Sequence, residues 1–360
     1  MRVTIDASQL TGQSAASGIG SYVRGLLGGL AANGDVAVTA LAIDDAVLPP
    51  GVTRRPTSRH YRSGRPAIYE HEIRRHAELR GRSIGVFHNP NPHAPLAPPR
   101  PWVQTLYDVI PLRSTDPVDG QFRRRFERFG PRYARADAVI AISRHSADEG
   151  MALLGIPGSI IEVIPLGIGA EFTPGKCTDS GNGLPYLLMV CEYSRRKGLA
   201  DTLMVLDALV DAGYPHRLRI AGRVPPWVAE EFDGLIAACA HPERVDALGF
   251  VDDLPALYRR ADLVLITSRY EGFGLPAAEA MACATPVVAF DNSSLPEVVG
   301  DGGVLVTDGD VDAAIRAVRS ILDSRAQRDE LSALAVARAA HFDWRRAARD
   351  TTEVYARVWR

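Results

Sequence analysis

Short apolar runs alternate with longer amphipathic stretches from one end of this 360-residue chain to the other, and that alternation leaves few folds open. A strand buried on both faces reads as an unbroken apolar run, and the crossover that returns the chain to a parallel neighbour reads as an amphipathic helix. The pattern therefore predicts an α/β protein with parallel sheets covered by helices. In the first half, strands are expected at Val3–Asp6, Val36–Ile43, Ile84–His88, Trp102–Leu106, Ala138–Ala141 and Ile161–Ile164. A helix is expected over Gly20–Ala32, and another is opened by Ser143, a residue suited to an N-cap.

The alternation stops at residues 173–185, a stretch rich in Pro, Gly, Ser and Asn that reads as a linker. It restarts with a strand at Tyr186–Val190 and a helix over Leu199–Ala212. Further strands are expected at Arg217–Ala221, Arg244–Leu248, Leu263–Ile266 and Pro286–Ala289, and helix dominates after Asp310, with a break near Phe342-Asp343. The length suits two domains. They are placed at 1–172 and 186–342, with 343–360 as a final helix. Two Rossmann-like, doubly wound domains facing a central cleft would bind ligands outside the carboxyl ends of their strands.

Composition removes several function classes. No apolar run reaches the length needed to cross a bilayer, and Arg2 followed at once by strand-like Val3-Thr4-Ile5 is not a secretory signal. Four scattered cysteines without a C-x-x-C pair speak against structural zinc and for a reducing, cytoplasmic setting. A net charge of −2 predicts no affinity for nucleic acid. Arginine is nonetheless concentrated, with nine between residues 54 and 82 and six between Phe122 and Arg135. That is either a solvated face or a landing patch for anionic lipid or a phosphorylated acceptor, which leaves peripheral contact with the inner face of a membrane open.

The most informative run is Ser268-Arg-Tyr-Glu-Gly-Phe-Gly-Leu-Pro-Ala-Ala-Glu-Ala-Met-Ala-Cys-Ala-Thr-Pro-Val287. It follows an apolar strand and passes through a glycine-bearing turn into a helix, with Pro276 where a first-turn proline is tolerated. Gly272 and Gly274 keep the backbone approachable ahead of a helix start, which is a ready anion site. Two carboxylates, Glu271 in the turn and Glu279 in the helix, stand at E-x7-E spacing.

This run resembles the signature of the GT-B, family 4 retaining glycosyltransferases. The likeness extends to Gly18-Ile-Gly20, Asp108-Val-Ile-Pro111, Val163-Ile-Pro-Leu-Gly167, Arg196-Lys-Gly198, Ala221-Gly222, Leu248-Gly-Phe-Val251 and Leu295-Pro-Glu-Val298. The resemblance implies a nucleotide-sugar donor held by the C-terminal domain and a hydroxyl acceptor held by the N-terminal one. It also implies retention of anomeric configuration, no metal or other cofactor, and a last helix that crosses back to the first domain. By the same resemblance Glu271 would contact donor-sugar hydroxyls, Glu279 the ribose, and the N–H groups of Gly272, Phe273, Gly274 and Leu275 the sugar and β-phosphate oxygens. Val251 would offer backbone hydrogen bonds to the base, Gly222 would belong to the donor site, and Gly18 and Gly20 would let backbone approach the donor phosphate or the acceptor.

Without a metal, fixed cations must stabilise the departing diphosphate, and Arg196 and Lys197 are the candidates. Asp108 is the candidate for orienting or deprotonating the acceptor hydroxyl. Many family members carry His-Asp there; Tyr107 replaces the histidine here, as Cys191 replaces a common glycine. His88 and Asn89 end the preceding strand and would line the acceptor site with Tyr107. The donor is GDP- or UDP-linked, and likeness to bacterial mannosyltransferases favours GDP-mannose. A glycosidase using the two carboxylates fits less well, because it has no diphosphate to hold. A sugar-nucleotide-binding protein without turnover is the alternative. The Asp308-Gly-Asp310-Val-Asp312 run reads as a turn and N-cap, not a metal site.

Overall fold

The computed structural model describes residues 1–11, 15, 17–42, 45–57, 84–92, 98–113, 120–175 and 184–360, without the side chains of 120–122 and 125. Most of the arginine-rich run at 54–82, together with Lys176 and Cys177, lies outside the described residues. Among them two sheets form. The first holds β1 (Arg2–Asp6), β2 (Ala37–Ala42), β3 (Thr53–Pro56), β4 (Val86–Asn89), β5 (Trp102–Leu106), β6 (Ala138–Ala141) and β7 (Ile161–Val163), in the order β3-β2-β1-β4-β5-β6-β7. The second holds β8 (Tyr186–Val190), β9 (Arg217–Ala221), β10 (Val245–Gly249), β11 (Leu263–Ile266), β12 (Val287–Asp291) and β13 (Val304–Thr307), in the order β10-β9-β8-β11-β12-β13. Every pairing is parallel.

Two strands of these sheets were not expected from the sequence. β3 carries Arg54, Arg55 and Pro56, so it shows no apolar run, and it survives because an edge strand pairs on one side only. β13 is a true strand rather than a short apolar run, paired with β12 from Val288↔Val304 to Asp291↔Thr307.

The chain divides into two units, Met1–Gly167 with Phe342–Arg360, and Ile168–His341. The changeover thus precedes the boundary at 172 expected from composition, for a packing reason. Phe172 meets Tyr258 edge-on with ring centroids 5.9 Å apart, and Arg259 Nη1 donates to the Thr173 carbonyl at 3.2 Å. These contacts tie residues after Gly167 to the second unit.

In the first unit the helix Trp344–Val358 lies against the helix Gly18–Asn33. The approach is close enough that a Cβ on Gly25 would sit 2.0 Å from the Trp344 ring, and one on Gly29 would sit 2.4 Å from the Trp344 carbonyl. The final helix begins at Asp343, whose carboxylate accepts from the Arg345 N–H at 2.6 Å, and buries Ala347, Ala348, Thr351, Val354 and Tyr355. The second unit is built on Leu187, Leu218, Leu263, Leu265 and Val288 from its strands, with Leu203, Leu206, Val318 and Ile321 packed from its helices.

Each sheet grows outward in both directions from a central pair, β1/β4 and β8/β11. The loops leaving the carboxyl ends of such a pair diverge to opposite faces and leave a crevice, the usual ligand position in an open α/β sheet.

Candidate active site

In the second unit the loops leaving β8 and β11 are residues 191–198 and 267–274, so the crevice falls between Arg196-Lys197 and Glu271. The structure closes it with ion pairs. Lys197 Nζ donates to Glu271 Oε1 at 2.6 Å, and Arg196 Nη1 lies 3.3 Å from Glu271 Oε2. Only 11% of the Lys197 side chain and 10% of that of Glu271 are exposed. Burial alone would raise the Glu271 pKa. The charges of Lys197 and Arg196, with hydrogen bonds from Lys197 and Ser268, outweigh it and hold the carboxyl at about 2. The sequence assigned the carboxylate to the sugar and the cations to the diphosphate; the structure joins all three in one buried cluster.

The local backbone explains why the cluster forms. Residues 195–197 make one 3₁₀ turn that ends at Gly198, with φ 68°. A Cβ there would lie 2.1 Å from the Thr267 carbonyl, so glycine lets the two loops touch. The loops are then laced together. The Arg269 N–H donates to the Arg196 carbonyl at 2.8 Å, the Arg196 guanidinium donates to the Tyr270 carbonyl, and Thr267 Oγ1 donates to the Gly198 carbonyl at 2.8 Å. Cys191 is buried, and the carbonyl beside it is approached so closely that Gly222, with φ 133°, would place a Cβ 1.7 Å from it. Gly222 is therefore fixed by loop packing.

The helix Leu275–Ala282 begins directly after this cluster. Its N-cap is Gly274, with φ 96°, which supplies no side-chain oxygen to the first turn. Gly272 and Phe273 are buried in the turn that leads to it. Glu279 is in the second turn of this helix, where Tyr258 Oη donates to its Oε2 at 3.0 Å. Burial pushes this carboxyl up to about 7, against the Tyr258 hydrogen bond and with help from the negative charge of Glu171. Two carboxylates in one motif thus differ in charge at neutral pH: Glu271 is ionised and Glu279 is close to half-protonated. Val251 is half-buried on the loop after β10, at the same end of the sheet, beside Phe250, which is 68% exposed.

Several aspartates of the second unit act as caps or ion-pair partners. Asp310 Oδ1 accepts from the Ala313 N–H at 2.8 Å, Asp253 Oδ1 from Ala256 at 3.0 Å, and Asp308 Oδ1 is 3.4 Å from Arg269 Nη1.

The residues expected on the acceptor side are held in hydrogen bonds within the first unit. His88 is fully buried, with Nδ1 2.5 Å from Tyr355 Oη and Nε2 2.8 Å from Thr105 Oγ1. Thr105 gives its own proton to Tyr22 Oη at 3.1 Å, so His88 donates from Nε2 and accepts at Nδ1. Burial holds its pKa down to about 3. Asn89 Nδ2 donates to Gln104 Oε1 at 2.7 Å and Tyr107 Oη to the Pro90 carbonyl at 2.8 Å. These three side chains knit the strand ends to one another and to the final helix. Asp108 Oδ1 accepts from the Ile110 N–H at 2.9 Å and so shapes the turn into the helix Ile110–Arg113. Gly18 opens the first helix, and the Gly20 N–H is taken by the cap residue Ser17 at 3.3 Å.

Sequence reasoning missed the polar residues that hold Glu279 by its carboxylate and Glu271 by its backbone. Tyr258 gives no signal, since its contact with Glu279 depends on how two helices pack. Asn292-Ser-Ser294 was visible as small polar residues between a strand and Leu295-Pro296, a pattern that reads as an ordinary helix cap.

Comparison with known proteins identifies the family and the fold. Residues 16–172 match the family model Glycosyltransferase Family 4, and residues 178–337 match Glycosyl transferases group 1. The chain is 27% identical over 298 residues to an O-antigen chain mannosyltransferase B of Escherichia coli, covering 79% of this chain and 77% of that protein. It is 28% identical over 277 residues to the serotype-specific mannosyltransferase WbdA of E. coli, covering 72% of this chain but only 34% of that longer protein. Among solved structures, a sucrose-phosphate synthase from Thermosynechococcus elongatus superposes with a TM-score of 0.80 at 20% identity, covering 99% of each chain. Anabaena HepE in complex with UDP and glucose gives 0.74 at 17% identity, covering 99% of this chain and 100% of that one. With two parallel-sheet Rossmann-like units and both family models matched in order, the chain belongs to the family 4 glycosyltransferases of the GT-B fold.

Proposed function

We propose that the protein moves a hexose from a nucleoside-diphosphate sugar to a hydroxyl acceptor with retention of configuration and without a metal. The observation that carries this reading is the buried Glu271 carboxylate between Lys197 and Arg196, set at the strand-order reversal and just ahead of a helix start. An ionised carboxylate there can accept hydrogen bonds from sugar hydroxyls as positive charge develops on the ring. Lys197 has three N–H donors and Glu271 engages one, so the ammonium can bind diphosphate oxygens while keeping its partner. Arg196 and the dipole of the helix Leu275–Ala282 add positive potential at the same end of the sheet. Glu279 would take the ribose hydroxyls. The acceptor belongs to the first unit, and it is a glycan, lipid-linked or small-molecule hydroxyl.

GDP-mannose is the donor we favour, because the curated relatives described above are mannosyltransferases; HepE with UDP and glucose supports UDP-glucose as the competitor. A thermal-shift panel of GDP-mannose, UDP-glucose, GDP and UDP in excess EDTA tests the reading. At a hundredfold excess over Kd the true donor should add about 2.7 kcal/mol of stability. Hydrolysis or transfer of the same sugar, measured without metal, should accompany it. A panel with no shift sinks the donor site. A shift without turnover points to a binding protein, and turnover restored only by Mg²⁺ overturns the metal-free mechanism.

A further inference from the structure

The segment that follows β12 reaches across to the backbone of Glu271. Ser293 Oγ accepts from the Glu271 N–H at 2.8 Å, and Ser294 Oγ donates to the Glu271 carbonyl at 2.9 Å. Adjacent serines therefore fix both polar backbone groups of the one residue whose carboxylate sits between the two cations. The clamp is itself braced. Ser293 Oγ donates to Asn292 Oδ1 at 2.9 Å, and Asn292 Nδ2 donates to the Ser268 carbonyl at 2.9 Å and to Asp308 Oδ1 at 2.8 Å.

Two features distinguish this arrangement from an ordinary loop. Ser294 is the N-cap residue of the short helix Leu295–Val299, yet its side chain makes no cap hydrogen bond. A serine at that position normally satisfies a first-turn N–H; here the fully buried hydroxyl is turned to Glu271 instead. Ser293 has φ 47°, in the left-handed region that residues other than glycine seldom occupy. Such conformations persist where the surroundings over-determine them, and they gather at functional sites.

We propose that Ser293 and Ser294 are positioning residues that hold Glu271 in register with the donor sugar. The inference rests on the donor-site reading above. A carboxylate that must accept hydrogen bonds from an incoming sugar while it stays paired with Lys197 needs an anchor independent of both, and the backbone clamp supplies one. Ser293→Gly removes the hydroxyl and keeps the left-handed backbone accessible, and Ser294→Ala removes the other hydroxyl.

Each should lower kcat for GDP-mannose or UDP-glucose about ten- to hundredfold, the scale of a misplaced reacting group. Affinity for free GDP and UDP, measured by calorimetry, should stay within about twofold, because the clamp acts on placement and not on binding. In a Glu271→Gln background either change should cost little more, since residues acting through one group are not additive. Unchanged kcat in both serine variants, with Glu271→Gln impaired, overturns the clamp and leaves the donor site standing. Nucleotide affinity lost in parallel with kcat, or equal losses in both backgrounds, assigns the serines to folding and overturns it too. Native turnover in Glu271→Gln alone removes the donor-site reading and this inference with it.

Discussion

The two sheets reverse strand order at equivalent places, between β1 and β4 and between β8 and β11, yet they fill those places with opposite chemistry. In the first unit the strand ends carry a neutral relay, Tyr355 to His88 to Thr105 to Tyr22, with Asn89 and Gln104 paired beside it. In the second, the loops carry an ionised glutamate between a lysine and an arginine. The same topology makes a crevice in both units. What gathers there depends on which side chains the loops bring in, and on whether burial is answered by charge or by neutral hydrogen bonds.

The sharpest way to break this contrast is to remove charge from the second unit. Lys197→Ala should lower kcat by about 10²–10³, the loss typical of deleting one preorganised donor to a developing anion. Lys197→Arg should restore only part of it, because a planar guanidinium does not replace a compact ammonium. Steady-state kinetics decide the matter, and near-native turnover in the alanine variant would place the diphosphate elsewhere.

Glu279 offers a smaller effect with a defined sign. Its carboxyl sits at about 7 in the folded protein against an ordinary value of 4.5, so the folded state binds the proton more tightly. Its contribution to stability is present below pH 4.5 and is lost as pH rises through about 7. Glu279→Gln cannot ionise, so thermal melts between pH 5 and 8 should show the free variant gaining on the native chain as pH rises. The same substitution should weaken nucleotide binding about tenfold, the worth of one charge-assisted hydrogen bond near 1.4 kcal/mol. Parallel melting curves across that range would remove the buried-acid assignment.

The smallest effect on turnover belongs to His88. Its pKa is held at about 3 against 6.5, so its contribution is present above pH 6.5 and is lost as pH falls toward 3. His88→Phe should flatten that part of the acid-side stability curve. It should also lower stability by about 1–3 kcal/mol for each buried hydroxyl left without its partner. Turnover at the melting-safe temperature should be unchanged. A kcat loss with full stability would return His88 to the acceptor site.

Much of this was legible from residues alone, for identifiable reasons. Trp102–Leu106, Ala138–Ala141, Tyr186–Val190, Arg217–Ala221 and Leu263–Ile266 are strands at the boundaries the apolar runs predict. All five lie inside their sheets, where burial on both faces leaves the clearest signal, although Ala138–Ala141 and Arg217–Ala221 each neighbour an edge strand. β3 was not legible, because an edge position tolerates Arg-Arg-Pro. At the site, Glu271, Glu279, Arg196 and Lys197 stood out through spacing and glycine context. Their mutual contacts did not, since Lys197 and Glu271 are 74 positions apart and meet only once β8 and β11 pair. The partners of His88 were not legible either, because a histidine at a strand end looks the same in sequence whether its ring faces solvent or, as here, a tyrosine from the last helix.

The seating of Trp344 against Gly25 and Gly29 bears on how the chain is made. Residues 168–341 are synthesised between the two parts of the first unit, so the second sheet has all its strands before the helix Trp344–Val358 leaves the ribosome. Until then the groove over Gly25 and Gly29 is without its tryptophan and the His88 relay lacks the Tyr355 hydroxyl. The first unit is begun first and finished last. In the interval its apolar groove is exposed on the nascent chain, the kind of surface on which chaperones act.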